Sequence, residues 1–156
     1  MNKKVEQNQP ADQQHNKTQL MFHISELLNS HEGARDSYEI DTPVSFDDPD
    51  IIPKSNLTGT VNIMRLDKEF NVQLEDIEIQ VERPCDKCGE ACIEEIYIEF
   101  ADIEFLIQRD HDIESREDIF HVNTKNWTID LTEWLRQEII LHFPLVSVCS
   151  IHKLTD

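Results

Sequence analysis

The sequence of 156 residues has the length of one domain, and its 32 acidic against 14 basic side chains give a formal net charge of −18. Proteins that follow a nucleic-acid backbone neutralise phosphates with clusters of Lys and Arg, so this balance disfavours direct RNA or DNA binding and anionic membrane surfaces. An acidic surface instead favours basic protein partners, or serves only solubility. Four cysteines without an apolar leader or a membrane-spanning run predict a reducing, cytoplasmic setting.

Residues 1–19 are rich in Asn, Gln, Lys and His and carry almost no apolar side chains, which predicts a disordered polar tail. Residues 20–156 are then expected to form a single domain. The first element of this domain is a short helix that Ser25 would cap and Gly33 would end, because Ser suits the N-cap position and Gly suits the residue after a helix.

From Asp36 onward, apolar residues alternate with polar ones, which predicts a series of β-strands. Pro43 would confine the first strand to an edge of the sheet or to a bulge, and a loop containing Pro53 would follow. The apolar face of this strand is expected to consist of Tyr38, Ile40, Val44 and Phe46. In the later strands the alternation slips by one residue twice, near Glu75 and again after Phe100. A slip of one residue turns every following side chain to the other face, so two slips in neighbouring strands indicate strongly bent strands.

Three cysteines lie close together in segment 83–92 (RPCDKCGEAC), which is expected to turn between two long strands. The C-x2-C spacing lets two thiolates face one ion, and Gly89 lets the backbone turn tightly beside them. A C-x2-H pair near the end of the sequence repeats this spacing, so the two pairs together make a candidate zinc site. The candidate ligands are Cys85, Cys88, Cys149 and His152, with Cys92 as an alternative.

The same cysteines are also compatible with thiols that bind no metal or with a redox pair. Acidic neighbours such as Asp86 and Glu90 argue against the redox pair, because negative charge raises the pKa of a thiol. A zinc ion with four protein ligands would be structural and would join the strand turn to the C-terminal segment. The sequence leaves structural zinc and metal-free thiols both open.

A second helix is the clearest element of the C-terminal half. Asp130 is expected as its N-cap, with Glu133 completing a capping box, and Pro144 would end it. The acidic segment 108–118 before it predicts an exposed loop. The apolar stripe that should face the sheet consists of Leu131, Trp134, Leu135 and Ile139. The elements together predict an α+β fold: a bent antiparallel sheet or partly open β-barrel, with a short N-terminal helix and a C-terminal helix packed on it.

Four segments, taken in order, carry a resemblance to a known family. They are the helix from Ser25-Glu26-Leu27-Leu28 to Gly33, the strand Gly59-Thr60-Val61, the pair in Cys85-Asp86-Lys87-Cys88, and the helix at 129–141 (IDLTEWLRQEIIL) that runs into Phe143-Pro144-Leu145-Val146. Over about Leu20 to Cys149 the chain resembles the YceD family of large ribosomal RNA subunit accumulation proteins. The C-x2-C pair and the Asp-Leu helix that ends in Pro are the most specific parts of the resemblance.

The resemblance implies a non-enzymatic ribosome biogenesis factor that promotes the accumulation of large-subunit ribosomal RNA, with family cysteines at Cys85, Cys88 and Cys149. The chain departs from the family at Gly89 and Cys92, and it lacks the further cysteine-rich tail of many members, so His152 or Cys92 would have to complete a family metal site.

The seven histidines are scattered without a matched pair, which agrees with a protein that is not an enzyme. Because the net charge is −18, the expected partner is a basic ribosomal protein or large-subunit assembly factor rather than the RNA itself. The alternative function is a thiol-based redox or zinc-sensing protein that uses Cys85 and Cys88.

Overall fold

The computed structural model describes residues 20–107 and 119–146. The predicted tail at 1–19, the predicted acidic loop at 108–118, Cys149 and His152 lie outside the described residues. In chain order the elements are β1 (Met21–His23), α1 (Ser25–Leu28), β2 (Arg35–Thr42), β3 (Ile52–Pro53), β4 (Leu57–Arg65), β5 (Glu69–Pro84), β6 (Ala91–Leu106), β7 (Phe120–His121), β8 (Thr128–Asp130) and α2 (Thr132–Leu141).

One mixed sheet dominates the fold. Its strand order is β2-β4-β5-β6-β7, and β3 pairs with β5 beside this path. All of these pairings are antiparallel except that of β6 with β7, while β1 and β8 form a separate two-stranded ribbon. The predicted α+β class with a bent antiparallel sheet is confirmed, and within residues 20–107 and 119–146 the strands do not close into a barrel.

A β-bulge between β4 and β5 accounts for the first slip in the alternation. The register shifts between Thr58 and Thr60, where β5 carries one extra residue and Asp76 takes a φ of 54°. Gly59 lies directly against the bulge, because a Cβ atom there would stand 2.5 Å from Ile77 Cδ1 and 3.0 Å from the Asp76 carbonyl oxygen. A bulge bends its strand and increases the local twist, as the sequence predicted.

The second slip lies opposite the first and has the same origin. β5 and β6 keep one register along their length, with Glu75 opposite Phe100 and Ile77 opposite Ile98. At this point the buried positions of β6 change from even-numbered residues such as Ile98 to odd-numbered residues such as Phe105, so the opposite face of the strand becomes the buried one. β5 changes in the same way. The two strands therefore bend together as continuous elements, and the prediction of strongly bent neighbouring strands is confirmed.

The second helix forms where the sequence placed it. The Trp134 ring meets the Phe105 ring edge-on at 6.5 Å, which packs α2 against the sheet. Asp130 Oδ1 accepts a hydrogen bond from the Thr132 N–H at 2.9 Å, but the N-cap residue of α2 is Leu131 and no side chain caps the helix, so the prediction of Asp130 as N-cap is wrong. Glu133 pairs with Arg136 at 2.7 Å, and this contact replaces the predicted capping box. The buried stripe is the predicted one: Leu131, Trp134, Leu135 and Ile139.

Three further predictions from the sequence are wrong. Ser25 is the first residue of α1 rather than its cap, and no side chain caps this helix, which ends at Leu28. Gly33 lies beyond the helix with a φ of 94°, in the turn before β2. Pro53 belongs to β3 and pairs with Val81, rather than lying in a loop. β2 is an edge strand, as predicted, but it ends at Thr42, so Val44 and Phe46 lie outside the strand in which the sequence placed them.

Candidate functional site

The loop Cys85–Glu90 closes the hairpin of β5 and β6, where the sequence predicted a turn. Cys85 donates its N–H to the Glu90 carbonyl oxygen at 2.7 Å and accepts at its own carbonyl oxygen from the Gly89 N–H at 2.8 Å. The Lys87 N–H donates to Cys85 Sγ at 3.3 Å, and Gly89 takes a φ of 79° that its lack of a side chain permits. A backbone N–H directed at sulfur favours the thiolate, which is the form that binds a metal.

The cysteines of this loop differ in exposure. Cys85 is 2% exposed and packs on Cys92, while Cys88 is exposed. In the part of the chain that the structure describes, no three His, Cys, Asp or Glu side chains gather closely enough to hold a metal ion. The structure thus places two candidate ligands, Cys85 and Cys88, on one tight turn. Cys149 and His152 lie outside the described residues, so the four-ligand set stays a prediction.

A contact between the hairpin and the segment after α2 bears on that prediction. The Arg83 guanidinium lies over the Phe143 ring, 4.1 Å from its centroid, in a cation–π contact. Arg83 lies two residues before Cys85, so the chain that leaves α2 runs past the base of the cysteine loop. Cys149 follows Phe143 by six residues, a length that spans at most about 20 Å. The connection from α2 is therefore compatible with a return of the chain toward this loop.

Glu94 is a buried carboxylate that the sequence analysis did not single out as a site residue. It follows Cys92 by two residues on the inward face of β6 and is 7% exposed. Within the described residues, its Oε2 atom has no hydrogen-bond partner. A buried carboxylate oxygen without a partner is unfavourable unless a proton or a cation satisfies it. The inner side of the hairpin therefore offers sulfur and oxygen donors, although they do not gather into a complete metal site.

The outer side of the same hairpin carries a concentration of negatively charged side chains, whose position the composition alone could not show. Between the bulge and the loop, alternate residues of β5 and β6 point away from the core. We define the acidic face as the exposed or half-buried carboxylates Asp76, Glu78, Glu82, Glu95 and Glu99. Lys54 forms an ion pair with Glu82 at 3.5 Å. The concentration of carboxylates on one surface makes this part of the molecule strongly attractive to cations.

Apolar side chains interrupt the acidic face. Ile93, Tyr97 and Phe100 are 46%, 50% and 53% exposed. The Tyr97 hydroxyl donates to Asp76 Oδ1 at 2.5 Å, and this hydrogen bond is the main cause that raises the pKa of Tyr97 to about 12. The ring is thus held on the acidic face as a neutral phenol. Aromatic side chains are enriched at protein interfaces, so the exposed rings on this face are compatible with a docking surface.

A groove of about 680 Å³ runs along this face beside Tyr97. Its lining includes the polar side chains of Asn56, Thr58 and Gln80. The charged residues of the lining are Glu78 and Glu95, both acidic. Their geometry suits a cationic side chain, which could bind between two carboxylates and stack on an aromatic ring.

Fold and site together define a small α+β protein with a long bent hairpin, a cysteine loop at its tip and an acidic outer face. No protein-family model, no curated protein and no solved structure matches this chain. The resemblance to the YceD family therefore rests on the sequence motifs alone. Across residues 20–107 and 119–146, no helix has the length and apolar character needed to cross a membrane.

Proposed function

We propose that this protein is a non-enzymatic ribosome biogenesis factor that promotes the accumulation of large-subunit ribosomal RNA by binding a basic ribosomal protein or assembly factor. The observation that carries the proposal is the acidic face, with its groove between Glu78 and Glu95. The resemblance to the YceD family supplies the ribosomal context. The net charge of −18 supports a protein partner rather than naked RNA.

The acidic face would act in two ways on such a partner. Its carboxylates attract a basic protein over a distance of about 10 Å at moderate salt, which raises the association rate and selects against acidic competitors. The exposed rings of Tyr97 and Phe100 supply the apolar area that gives a docked complex its lifetime. Phosphate groups of RNA would meet repulsion on the same surface, so RNA accumulation would be promoted through a protein contact.

Capture of partners from native cell lysate by the tagged protein tests this proposal. The capture is run with and without nuclease and at low and high salt, and the recovered proteins and RNA are identified. We expect basic large-subunit proteins that survive nuclease and decline with salt, because the attraction is screened. Ribosomal material that disappears with nuclease would instead make RNA the direct partner and would contradict the proposal.

Charge-reversal variants locate the contact. Glu78→Lys combined with Glu95→Lys should reduce capture about tenfold or more, since two attractive contacts become repulsive. Glu26→Lys combined with Glu32→Lys is the matched control: both residues are exposed and lie in or just after α1, and the net charge changes equally. Equal losses from both variants would show a response to overall charge and would remove the acidic face as the binding site.

A second candidate function is a zinc-sensing or thiol-based role for Cys85 and Cys88. The hydrogen bond from the Lys87 N–H to Cys85 Sγ favours it, because this arrangement stabilises a thiolate. A bound zinc ion with four protein ligands would act as structure and would leave no open coordination position. Zinc content of the purified protein near one ion per chain would support the metal, whereas thiols that react freely and bind no zinc would favour the redox alternative.

A further inference from the structure

Among the residues that the structure describes, the edge of β6 away from β5 is unpaired over most of its length. On that side the partner is β7, which pairs only with Phe105 and Leu106. Within the described residues, the part of β6 from Ala91 to Glu104 has no strand beside it on this edge. An open strand edge of this length presents a row of backbone donors and acceptors and is a template for a further strand.

The contacts of Gln80 show which backbone groups face this edge. The Gln80 N–H donates to Ser55 Oγ at 2.9 Å, and its carbonyl oxygen accepts from the Lys54 N–H at 2.7 Å, so both groups point toward β3 and away from β6. Glu95, which is opposite Gln80, therefore belongs to a pair without hydrogen bonds. Its N–H and carbonyl point to the open edge, and by alternation so do those of Ile93 and Tyr97.

The same three residues display their side chains on the acidic face. A strand that adds to this edge would place alternate side chains beside Ile93, Glu95 and Tyr97. Basic side chains on that strand would meet Glu95 and the Tyr97 ring, which is the charge complementarity that the surface offers. A second copy of this chain would instead bring like charges together, which is unfavourable on neighbouring strands.

We propose that an extended basic segment of the partner adds to β6 as a further strand between Ala91 and Glu104, with its cationic side chains on the acidic face. This inference rests on the proposed function for the basic character of the partner. It adds the mode of binding: main-chain hydrogen bonds supply affinity, and the alternation of Ile93, Glu95 and Tyr97 selects cationic side chains at every second position.

Synthetic peptides of about ten residues that alternate arginine with threonine test the proposal against the full-length protein. One peptide has methylated amide nitrogens at its arginines, and its control has them at its threonines, so both keep the same charge. In an antiparallel addition the arginine amides face β6, so their methylation should weaken binding about tenfold or more while the control still binds. A parallel addition reverses the two results. Equal affinities for both peptides would overturn strand addition.

Substitution of Ile93 provides the test from the side of the protein. Ile93→Pro removes an amide that faces the open edge, so the ladder with β5 survives and the charge is unchanged. This variant should bind the unmodified peptide about tenfold more weakly, whereas Ile93→Thr, which keeps the amide, should bind nearly as well as the parent. Binding by Ile93→Pro that equals the parent would overturn the proposal, and the circular dichroism of both variants checks their folding.

Amide hydrogen exchange measures directly whether the backbone N–H groups on the open edge of β6 are hydrogen-bonded. Without peptide, the amides of Ile93, Glu95 and Tyr97 should exchange faster than those of Ile96 and Ile98, and the peptide should slow the first group. Protection of the first group without peptide would show that a segment outside the described residues, or a second copy of the chain, covers the edge, and would overturn the proposal. Failure here with intact, salt-sensitive capture of basic proteins would leave the proposed function standing, whereas loss of that capture would remove the function itself.

Discussion

Gly59→Ala tests the bulge that bends the sheet and shapes the acidic face. Gly59 has a φ of 148° and lies against the extra residue of β5. An alanine Cβ would stand 2.5 Å from Ile77 Cδ1, 3.0 Å from the Asp76 carbonyl oxygen and 3.0 Å from Ile77 Cα. The isoleucine methyl can turn aside, but two of the three atoms are backbone, so the two strands must move apart.

The size of the effect follows from three contributions. Backbone strain for a side chain at such a φ costs on the order of 1–3 kcal/mol. Overpacking against fixed backbone atoms adds roughly 1–3 kcal/mol. The lower entropy of the unfolded chain offsets about 0.4–1 kcal/mol of this loss, because alanine samples fewer backbone states than glycine. Together these predict a loss of about 3 kcal/mol in the free energy of unfolding.

Gly33→Ala is the matched control. Gly33 also has a positive φ, 94°, but apart from its chain neighbours no heavy atom lies within 4 Å of the position that a Cβ would take. The control should lose about 1 kcal/mol, which comes from strain alone. Urea denaturation followed by tryptophan fluorescence measures both variants, since Trp134 is buried against the sheet. Losses that agree within about 0.5 kcal/mol would refute the close approach of the two strands at the bulge.

Three further predictions concern titration and metal. Burial and the neighbouring Asp36 raise the pKa of Tyr38, and the hydrogen bond to Asp76 raises the pKa of Tyr97 to about 12. A raised tyrosine pKa stabilises the folded state at pH values below the ordinary tyrosine pKa. This stabilisation is lost as the pH rises through the pKa of the folded state. Tyrosinate absorbance should therefore develop well above pH 10. The hydrogen bond from Arg136 lowers the pKa of Glu133, so its contribution is present above the ordinary carboxyl pKa and is lost as the pH falls through the lowered value. Glu133→Gln should cost under about 1 kcal/mol at neutral pH, because this side chain is 54% exposed, and nothing in acid, as urea denaturation at both pH values would show. If zinc joins the cysteine loop to the C-terminal segment, chelation should speed hydrogen exchange at residues 83–92 and 145–156 together, and unchanged exchange at both would remove the structural metal.

The long elements could be predicted from the sequence because their patterns repeat over many residues. The apolar stripe from Leu131, just before α2, to Ile139 has helical period, and the change in the apolar alternation near Glu75 marks the bulge. β1 and β8 have three residues each and pair across more than a hundred positions of sequence. Three residues are too few to show a period-two alternation, so the sequence could not predict these strands. Pro53 in β3 pairs with Val81 of β5, because β3 lies beside the main path of the sheet, where a missing N–H is tolerated.

The candidate site was predicted only in part, for a different reason. The turn at Cys85–Glu90 follows from local chemistry, since the C-x2-C spacing and Gly89 occupy adjacent positions in the sequence. The acidic face depends instead on which set of alternate residues in β5 and β6 points away from the core. Tertiary packing decides which alternate residues are buried: Glu94 is buried whereas Glu95 is exposed, although both are glutamates in the same strand. Composition therefore gave the net charge but could not locate it.

Asp76 connects the bend of the sheet with the surface proposed to bind a partner. Its φ of 54° forms the bulge, and its carboxylate holds the Tyr97 hydroxyl. Asp76→Gly separates these roles, because glycine accepts the positive φ and removes the carboxylate. Asp76→Ala removes the carboxylate and adds backbone strain of about 1 kcal/mol, which urea denaturation would measure.

Both variants should lower the pKa of Tyr97 toward 10, and both should weaken binding of the arginine–threonine peptide to the same extent, since the carboxylate and the fixed ring contact the partner. Weaker binding by the alanine variant alone would show that the bend, rather than the anchored Tyr97, prepares the surface. Unchanged binding by both variants would show that neither the Asp76 carboxylate nor its hydrogen bond to Tyr97 contributes to the interface.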